Sequence, residues 1–339
     1  PLARGSENFK GEILHSSTFR NREQVTGKRV VVVGGGKSAV DNAVSAATTG
    51  ISSTLLYREA HWPVPRYLLN IIPFKWGTYS RLGHFMLQAS HEEGPVATWF
   101  HAVLVPLKWL FWRIVELMFC LQFHLQGDAV PEIPIEIDLF TGGQILNYEY
   151  RDLLRKGEVH GIKGSIDHFV EDGVVLADGT QLQADVVIYG TGFGKSYGLF
   201  DKATQQKLAV QKDGLYLYRN IIPPAVPNLA FIGSEVSTFN NILTHGLQAL
   251  WLQQLLVGKM SLPTQSSMLQ AVEKEQAWKR SWMPPSSARA SIWQLHMMKY
   301  HDNLCKDMQV PHRRKGFNFL AEIFVPYSSA DYKDLFEQK

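Results

Sequence analysis

Residues Gly27 to Arg58, GKRVVVVGGGKSAVDNAVSAATTGISSTLLYR, limit the fold more than any other stretch of the chain. Val30 to Val33 is an unbroken β-branched run, as a parallel strand buried on both faces requires. Gly34, Gly35 and Gly36 follow at once, and Ser38 and Ala39 then lead into a helix rich in Ala and Val. A second strand, Ser53 to Tyr57, comes after Gly50 and ends at Arg58. The unit is β-turn-α-β with Gly34-x-Gly36-x-x-Ala39 at the turn. The first glycine permits the tight turn, the second lets backbone approach a pyrophosphate, and small Ala39 lets helix and strand pack closely. The helix N-terminus offers free N–H groups and a partial positive charge to phosphates. A glycine turn alone also occurs in other α/β proteins, but the strand-helix-strand frame around this one points to a dinucleotide. Sites for NAD usually place an acidic residue at the end of the second strand, whereas an arginine accommodates a 2′-phosphate. Arg58, with Lys37 and Ser38 in the turn, favours NADPH over NADH; Glu59 next door pulls the other way, and a solvated surface arginine is the plainer alternative.

At 339 residues the chain allows two domains or one large one. A net charge of +3 and the lack of a long basic run argue against nucleic acid as a partner. Cys120 and Cys305 form no metal or redox spacing and suggest a reducing, cytoplasmic compartment. The twelve histidines contain no HxxxH or HxH pair for a metal. The chain opens on Pro1 without a signal-peptide pattern, which reads as a fragment, a processed chain or an incomplete gene model.

Residues 1–24 are polar and lack periodicity, and read as a connector into a dinucleotide domain spanning 25–190. Glu59 to Arg66 is a proline-punctuated loop in which Trp62 either lines a channel or fills a gap. Residues 67–126 read as a helical hydrophobic insertion with Val103 to Leu125 at its centre. Lys108, Arg113 and Glu116 interrupt that run, so no charge-free stretch reaches the ~18 residues of a spanning helix. On a helical wheel these three fall on one half, with Trp109, Trp112, Phe119 and Phe123 among them, and Leu107, Leu110, Ile114, Met118 and Leu121 fall on the other. Such a helix suits a membrane interface, contacted through 99–126, or burial under a neighbouring domain or subunit, a homodimer included. Ile145, Leu146 and Tyr148 precede a polar segment, Glu149 to Glu158. Ile162 to Phe169 and Gly173 to Ala177 predict a hairpin, followed by the turn Asp178-Gly179. Asp185 to Phe193 and Pro227 to Glu235 read as strands, the first ending in a glycine turn, and about Thr244 to Val257 reads as a helix. Residues 191–339 form the remaining domain, irregular and helical after Pro284.

Phe9-x-Gly11-x-x-x-His15-x-x-x-Phe19 resembles the FxGxxxHxxx[YF] fingerprint of flavin-containing monooxygenases, and it stands just before the glycine turn as it does there. Gly34 to Ala39 with Asp41 looks like that family's nicotinamide-dinucleotide site. Asp185 to Phe193 resembles its "ATG"-type strand, with Gly190 where Ala is usual. Phe231-Ile232-Gly233, Ile242-x-Thr244 and Gln248-Ala249-x-Trp251 resemble its last FAD strand and the following helix. The likeness covers about 9–66 and 140–283. It implies an α/β, two-dinucleotide-binding (Rossmann-like) flavoprotein fold, with an NADPH domain inserted in an FAD domain. The family's N-terminal GxGxxG segment for FAD has no counterpart before Phe9, so a piece of roughly 100–200 residues is expected to be missing.

The resemblance further implies FAD and NADPH as cofactors and a flavin C4a-hydroperoxide that oxygenates soft nucleophiles, amine N or sulfide S, as in N,N-dimethylaniline monooxygenase activity. Gly34, Gly36, Lys37, Ser38, Ala39 and Arg58 are the dinucleotide candidates, and Gly192, Phe193 and Gly233 the FAD candidates. Phe9, Gly11 and His15 belong to the linker, where His15 satisfies backbone groups rather than shuttling protons. Asn240, Asn241 and Thr244 either reach the flavin or nicotinamide or cap a helix. No residue stands out as catalytic, because the flavin carries the chemistry and the protein supplies orientation and exclusion of water. Three other readings stay open: a non-catalytic NADP-binding module or decayed homologue, a Baeyer–Villiger or N-hydroxylating monooxygenase, and a membrane-docked interaction protein. A flavoprotein reductase ranks below them for want of a CxxC.

Overall fold

The computed structural model describes residues 2–141 and 148–337, so the expectation for Ile145 and Leu146 lies outside the described residues. The chain packs as two compact units. The first comprises Pro1–Ile71, Arg113–Asp138 and Gly142–Lys195, and the second Ile72–Trp112, Leu139–Thr141 and Ser196–Lys339. The segment read as one insertion, 67–126, is thus divided between them.

The first unit holds strands β1 (Glu12–His15), β2 (Arg29–Val33), β3 (Ser52–Tyr57), β4 (Val159–Lys163), β5 (Ile166–Val170), β6 (Gly173–Leu176), β7 (Gln181–Gln183) and β8 (Val186–Tyr189). Five of them form an all-parallel sheet in the order β1-β8-β2-β3-β4, and β5-β6-β7 form a separate antiparallel meander. The valine run explains the layering. Side chains alternate faces along a strand, so Val30 and Val32 join Leu55, Val186 and Ile188 under helix α1 (Lys37–Ala47), where Ala39, Val40, Ala43 and Val44 are buried. Val31 joins Leu56 and Val187 on the opposite face, against Phe169, Val174 and Leu176 of the meander. A strand covered on both sides has no polar positions, which is why the run reads VVVV. At the start of β2 the Arg29 guanidinium and amide bind the Asp185 carboxylate (2.7, 3.0 and 2.8 Å), which holds its pKa down to about 2.

Two expectations need correction, the start of the hairpin and the strand at Pro227, and two segments left without an assigned structure, the connector and the polar stretch from Glu149, acquire one. The connector contains β1, whose four residues lie in register with β8 at the sheet edge; too short and too mixed to show periodicity, it is a strand only because its neighbour supplies the ladder. The hairpin expected from 162–169 with 173–177 is present as β5 paired antiparallel with β6, but its first arm starts later: Ile162 belongs to parallel β4, and the chain breaks at Gly164, whose N–H binds Tyr57 O (2.8 Å), before β5 starts. Pro227 to Glu235 is not a strand. Its Phe231 N–H reaches Ile221 O (2.8 Å), but Asn228 (φ 59°) and Gly233 (φ 77°) are left-handed, which no ladder tolerates. The polar segment from Glu149 is a helix, Tyr148–Lys156, whose Leu153 and Leu154 pack onto the α1 core.

The second unit is built around three helices, Asn241–Leu256, Gln265–Trp282 and Met297–Asp307. Trp251, Leu247, Tyr300 and Leu304 are among its fully enclosed side chains. The insertion forms helices Pro95–Val103 and Val105–Phe123. Their outward face is apolar: Trp99, Leu107, Leu110, Ile114, Leu117 and Leu121 are exposed, while Lys108 and Phe119 are buried; Trp109, expected on the charged half, is exposed as well. Among the described residues no helix is long and apolar enough to cross a membrane.

Candidate functional site

The turn between β2 and α1 is shaped by three close approaches. Gly34 is left-handed (φ 138°), and a Cβ there would stand 2.6 Å from Gly190 O. A Cβ on Gly190 would stand 2.7 Å from Ala39 Cα, so glycine rather than alanine at the end of β8 is what lets α1 lie this close to the sheet. Gly34 N–H binds Leu56 O and Gly190 N–H binds Val33 O, each at 2.8 Å, which carries the sheet ladder up to the turn. Gly36 differs from both. It is the N-cap of α1 with φ −88°, and a Cβ there would meet nothing within 4 Å. Its lack of a side chain serves open space, not folding.

That space is a cavity of about 900 Å³ lined by Gly34 to Ser38, Arg58, His61 and Gly190 to Gly192, among others. The first turn of α1 presents its free amides here. Lys37 is ion-paired to Asp41 one turn on, whereas the exposed Arg58 has no ion-pair partner among the described residues. Turn, helix end, cavity and arginine fit a phosphorylated dinucleotide: the unfilled cradle at Gly36 is where a bulky side chain would exclude it.

The linker fingerprint proves to be structural in its contacts. Phe9 is buried against Phe169, with ring centres 5.3 Å apart. A Cβ on Gly11 would come within 2.4 Å of Asp185 O, so only glycine lets the chain turn into β1. The Ser17 amide donates to His15 Nδ1 (3.2 Å), which leaves the proton on Nε2 to donate to Gly192 O (3.1 Å). His15 therefore ties the end of β1 to the left-handed Gly192 (φ 81°), and its ring edge packs on exposed Phe193. Six of the dinucleotide candidates, Gly34, Gly36, Lys37, Ser38, Ala39 and Arg58, are thus gathered at one turn, with Gly192 on the same cavity.

Gly233, Asn240, Asn241 and Thr244 belong to the second unit and spend their polar groups locally. Gly233 N–H donates to Gln248 Oε1 (2.8 Å). Asn240 Oδ1 accepts from Leu243 N as a helix cap, and Asn241 Oδ1 accepts from Thr238 N. Thr244 is fully buried, with its hydroxyl on Asn240 O and 2.7 Å from His301 Nε2; burial holds that imidazole down to about 3, hence neutral.

Sequence reasoning missed His61 and Asp138. His61 Nδ1 lies 2.8 Å from Asp138 Oδ1, and Trp62 N–H donates to Asp138 Oδ2 (2.8 Å). The partners are 77 residues apart, so no local spacing could announce them. Trp62 itself is core, its indole N–H on Ile133 O and its ring edge-on to Phe119. Among the described residues no cluster could hold a metal ion.

The geometry has counterparts in known proteins. The sequence pattern of the family described as "Flavin-binding monooxygenase-like" matches residues 3–313. "Probable flavin-containing monooxygenase 1" of Arabidopsis thaliana is 29% identical over 98% of this chain and 65% of its own length. "Flavin-containing monooxygenase 5" of Homo sapiens is 27% identical over 80% of this chain and 47% of its own. The chain thus spans about half to two thirds of the curated relatives it matches. Among solved structures, S-allyl-L-cysteine S-oxygenase from Allium sativum superposes with a TM-score of 0.54 at 16% identity, covering 99% of this chain and 54% of that one. A cyclohexanone-bound cyclohexanone monooxygenase gives 0.59 at 15% identity, covering 90% and 70%. These likenesses establish the two-dinucleotide flavoprotein fold. With the glycine turn, the fingerprint and the crossing strand all inside the matched span, the chain belongs to the flavin-binding monooxygenase-like family.

Proposed function

We propose that the protein is an NADPH- and O2-dependent flavoprotein monooxygenase that oxygenates the amine nitrogen or sulfide sulfur of small molecules. In this reading 25–190 is the NADPH domain, and 191–339 the C-terminal part of the FAD domain. The observation that carries it is the cradle at Gly36, open to a cavity with the α1 N-terminus on one side and Arg58 on the other, in a chain of this family. When bound, FAD supplies the redox chemistry, passing two electrons from NADPH to O2 so that one oxygen atom reaches the substrate. The chain's own residues bind and orient: α1 amides face the pyrophosphate, Arg58 the 2′-phosphate, and His15 fixes the Gly192 turn at the cavity rim. The FAD assignment rests on the family and on the FAD- and NADP-bound relative of the same fold. The test is the absorption spectrum of the full-length protein. Flavin bands bleached by NADPH and restored by air, with an amine or sulfide oxidised in step, support the reading. A colourless protein that still binds NADPH makes it a non-catalytic dinucleotide module.

A specific observation favours a second, compatible property: peripheral contact of the protein with a bilayer through the 99–126 segment. Trp99, Leu107, Trp109, Leu110, Ile114 and Leu121 are each about half exposed or more, on helices that turn their charges inward. Flotation with liposomes tests it. Association lost on Leu110→Glu plus Ile114→Glu supports the contact, and a concentration-dependent dimer without flotation replaces it with self-association.

A further inference from the structure

We propose that His61, secured by Asp138, is a phosphate-binding residue of the dinucleotide cavity, meeting the pyrophosphate with an Nε2–H that solvent pH can remove. The inference rests on the reading of that cavity as a dinucleotide site and adds a residue that the motif does not contain.

Position is the first argument. His61 lines the cavity together with the glycine turn. A Cβ on Gly35 would stand 3.3 Å from His61 Cδ2, the ring carbon bonded to Nε2. The edge of the imidazole that carries Nε2 therefore lies along the turn where a pyrophosphate sits on the α1 N-terminus. The opposite edge is committed: Nδ1 lies 2.8 Å from Asp138 Oδ1, and the second carboxylate oxygen takes the Trp62 amide. Asp138 is 2% exposed, so the ring is anchored to a rigid wall and not to a surface side chain.

Charge is the second. The charged side chains on the cavity are Lys37, Arg58 and Glu59, and Lys37 is already paired to Asp41. A dinucleotide brings at least two phosphate charges to a site where Arg58, unpaired among the described residues, has Glu59 beside it. A protonated His61 redresses that balance. Its immediate electrostatic neighbours support the charge: burial alone would push its pKa down, but the hydrogen bond and charge of Asp138 and the charge of Glu59 outweigh this and raise it. Tyr57 and Tyr150, which line a smaller pocket together with His61, are uncharged there: burial first of all raises both pKa values.

With Nδ1–H held by Asp138, neutral His61 turns a lone pair toward the pyrophosphate, and protonated His61 turns a donor. Dinucleotide binding should then take up a proton, and affinity should fall as pH rises through the histidine's titration. NAD+ is the cleaner probe, because it has the pyrophosphate without a 2′-phosphate that titrates in the same range. The experiment is a titration of the full-length protein with NAD+ and NADP+ from pH 6 to 9, with wild type, His61→Gln and Asp138→Asn, and thermal melts to confirm folding. The expected result is an affinity for both ligands that drops about tenfold across the range in wild type, is flat for His61→Gln, and has a lower midpoint for Asp138→Asn. A flat wild-type profile for NAD+ overturns the proposal while leaving the dinucleotide site intact; so does a pH dependence confined to NADP+, which belongs to the 2′-phosphate. Failure of folded wild type to bind either ligand at any pH overturns the site reading itself. Should Asp138→Asn not fold, the His61→Gln profile decides alone.

Discussion

Two stretches of this chain carry long apolar runs, and they are used in opposite ways. In Val30 to Val33 every side chain finds a neighbour, alternately α1 and the meander, and the strand disappears into the first unit. In Val105–Phe123 the buried side includes the charged one. Lys108 donates to Leu87 O (3.0 Å) and lies 2.5 Å from His101 Nδ1, Arg113 pairs with Glu136 at 2.5 Å, and Glu116 accepts the Ile135 amide at 2.9 Å. Leu107, Leu110, Ile114, Leu117 and Leu121 are left outside. Hydrophobicity says that a run will leave water; it does not say which face has protein waiting for it. On this helix the polar groups with partners fixed by the rest of the fold decide the orientation.

The contrast is broken most directly inside the helix. Phe119 is fully enclosed, between Trp62 and Phe123, whereas Leu117 two residues earlier is 59% exposed. Phe119→Ala should cost about 3–5 kcal/mol of stability and Leu117→Ala less than about 0.5 kcal/mol, read by urea denaturation. Equal losses would mean that the outward face is buried in the working protein.

The glycine turn gives the next largest effect, and one of a different kind. Gly36 has an ordinary φ and empty space over it, so Gly36→Val should leave the melting temperature in place while weakening NADP+ by about a hundredfold or more, through blocked approach of the pyrophosphate. Gly34→Val, by contrast, should unfold the first unit, because its Cβ would collide with Gly190 O. A folded Gly36→Val that binds normally would make the turn architectural only.

Arg58 refines this from the ligand's side. It is exposed on the cavity, so Arg58→Ala should leave stability within about 0.5 kcal/mol of wild type, and weaken NADPH about tenfold more than NADH. Direct binding titrations with the two nucleotides check it, and equal losses would remove the 2′-phosphate role.

What could be read from the sequence follows the same division. The β-turn-α-β unit was legible because its constraints are local: Gly34, Gly36 and Ala39 lie within six residues, and each answers to backbone geometry. The site's remaining members depend on distant partners. His61 needs Asp138, β1 is a strand only beside β8, and Gly190 makes sense only once Ala39 is seen against it. The Pro227 to Glu235 expectation failed for the complementary reason, an apolar run with no ladder beside it among the described residues. For the 103–125 helix the wheel grouped Leu107, Leu110, Ile114 and Leu121 correctly but put exposed Trp109 with the charges, and direction is a property of the surroundings that no periodicity contains.

Lys108 offers the smallest and most discriminating test of that inverted helix. It is 8% exposed, beside His101 and over the Phe85 ring, and burial pushes its pKa down to about 8, against a smaller opposing pull from Glu93. The folded protein thus sheds this proton near pH 8, while the unfolded chain keeps it until about 10.4. Between those values the unfolded state binds more protons, so this residue makes stability rise with pH, and below pH 8 its charge is a constant burden. Full linkage would be worth about 3 kcal/mol; discounted for partial solvent screening of the charge, the rise should be about 1 kcal/mol. Lys108→Met keeps the buried stem and removes the titration. The difference in unfolding free energy between variant and wild type should therefore favour the variant at pH 7 and shrink by pH 9.5, a comparison that cancels every other group titrating in the window. A difference that stays constant with pH would mean that Lys108 reaches water, and that the helix is rotated from the orientation on which the exposed apolar face depends.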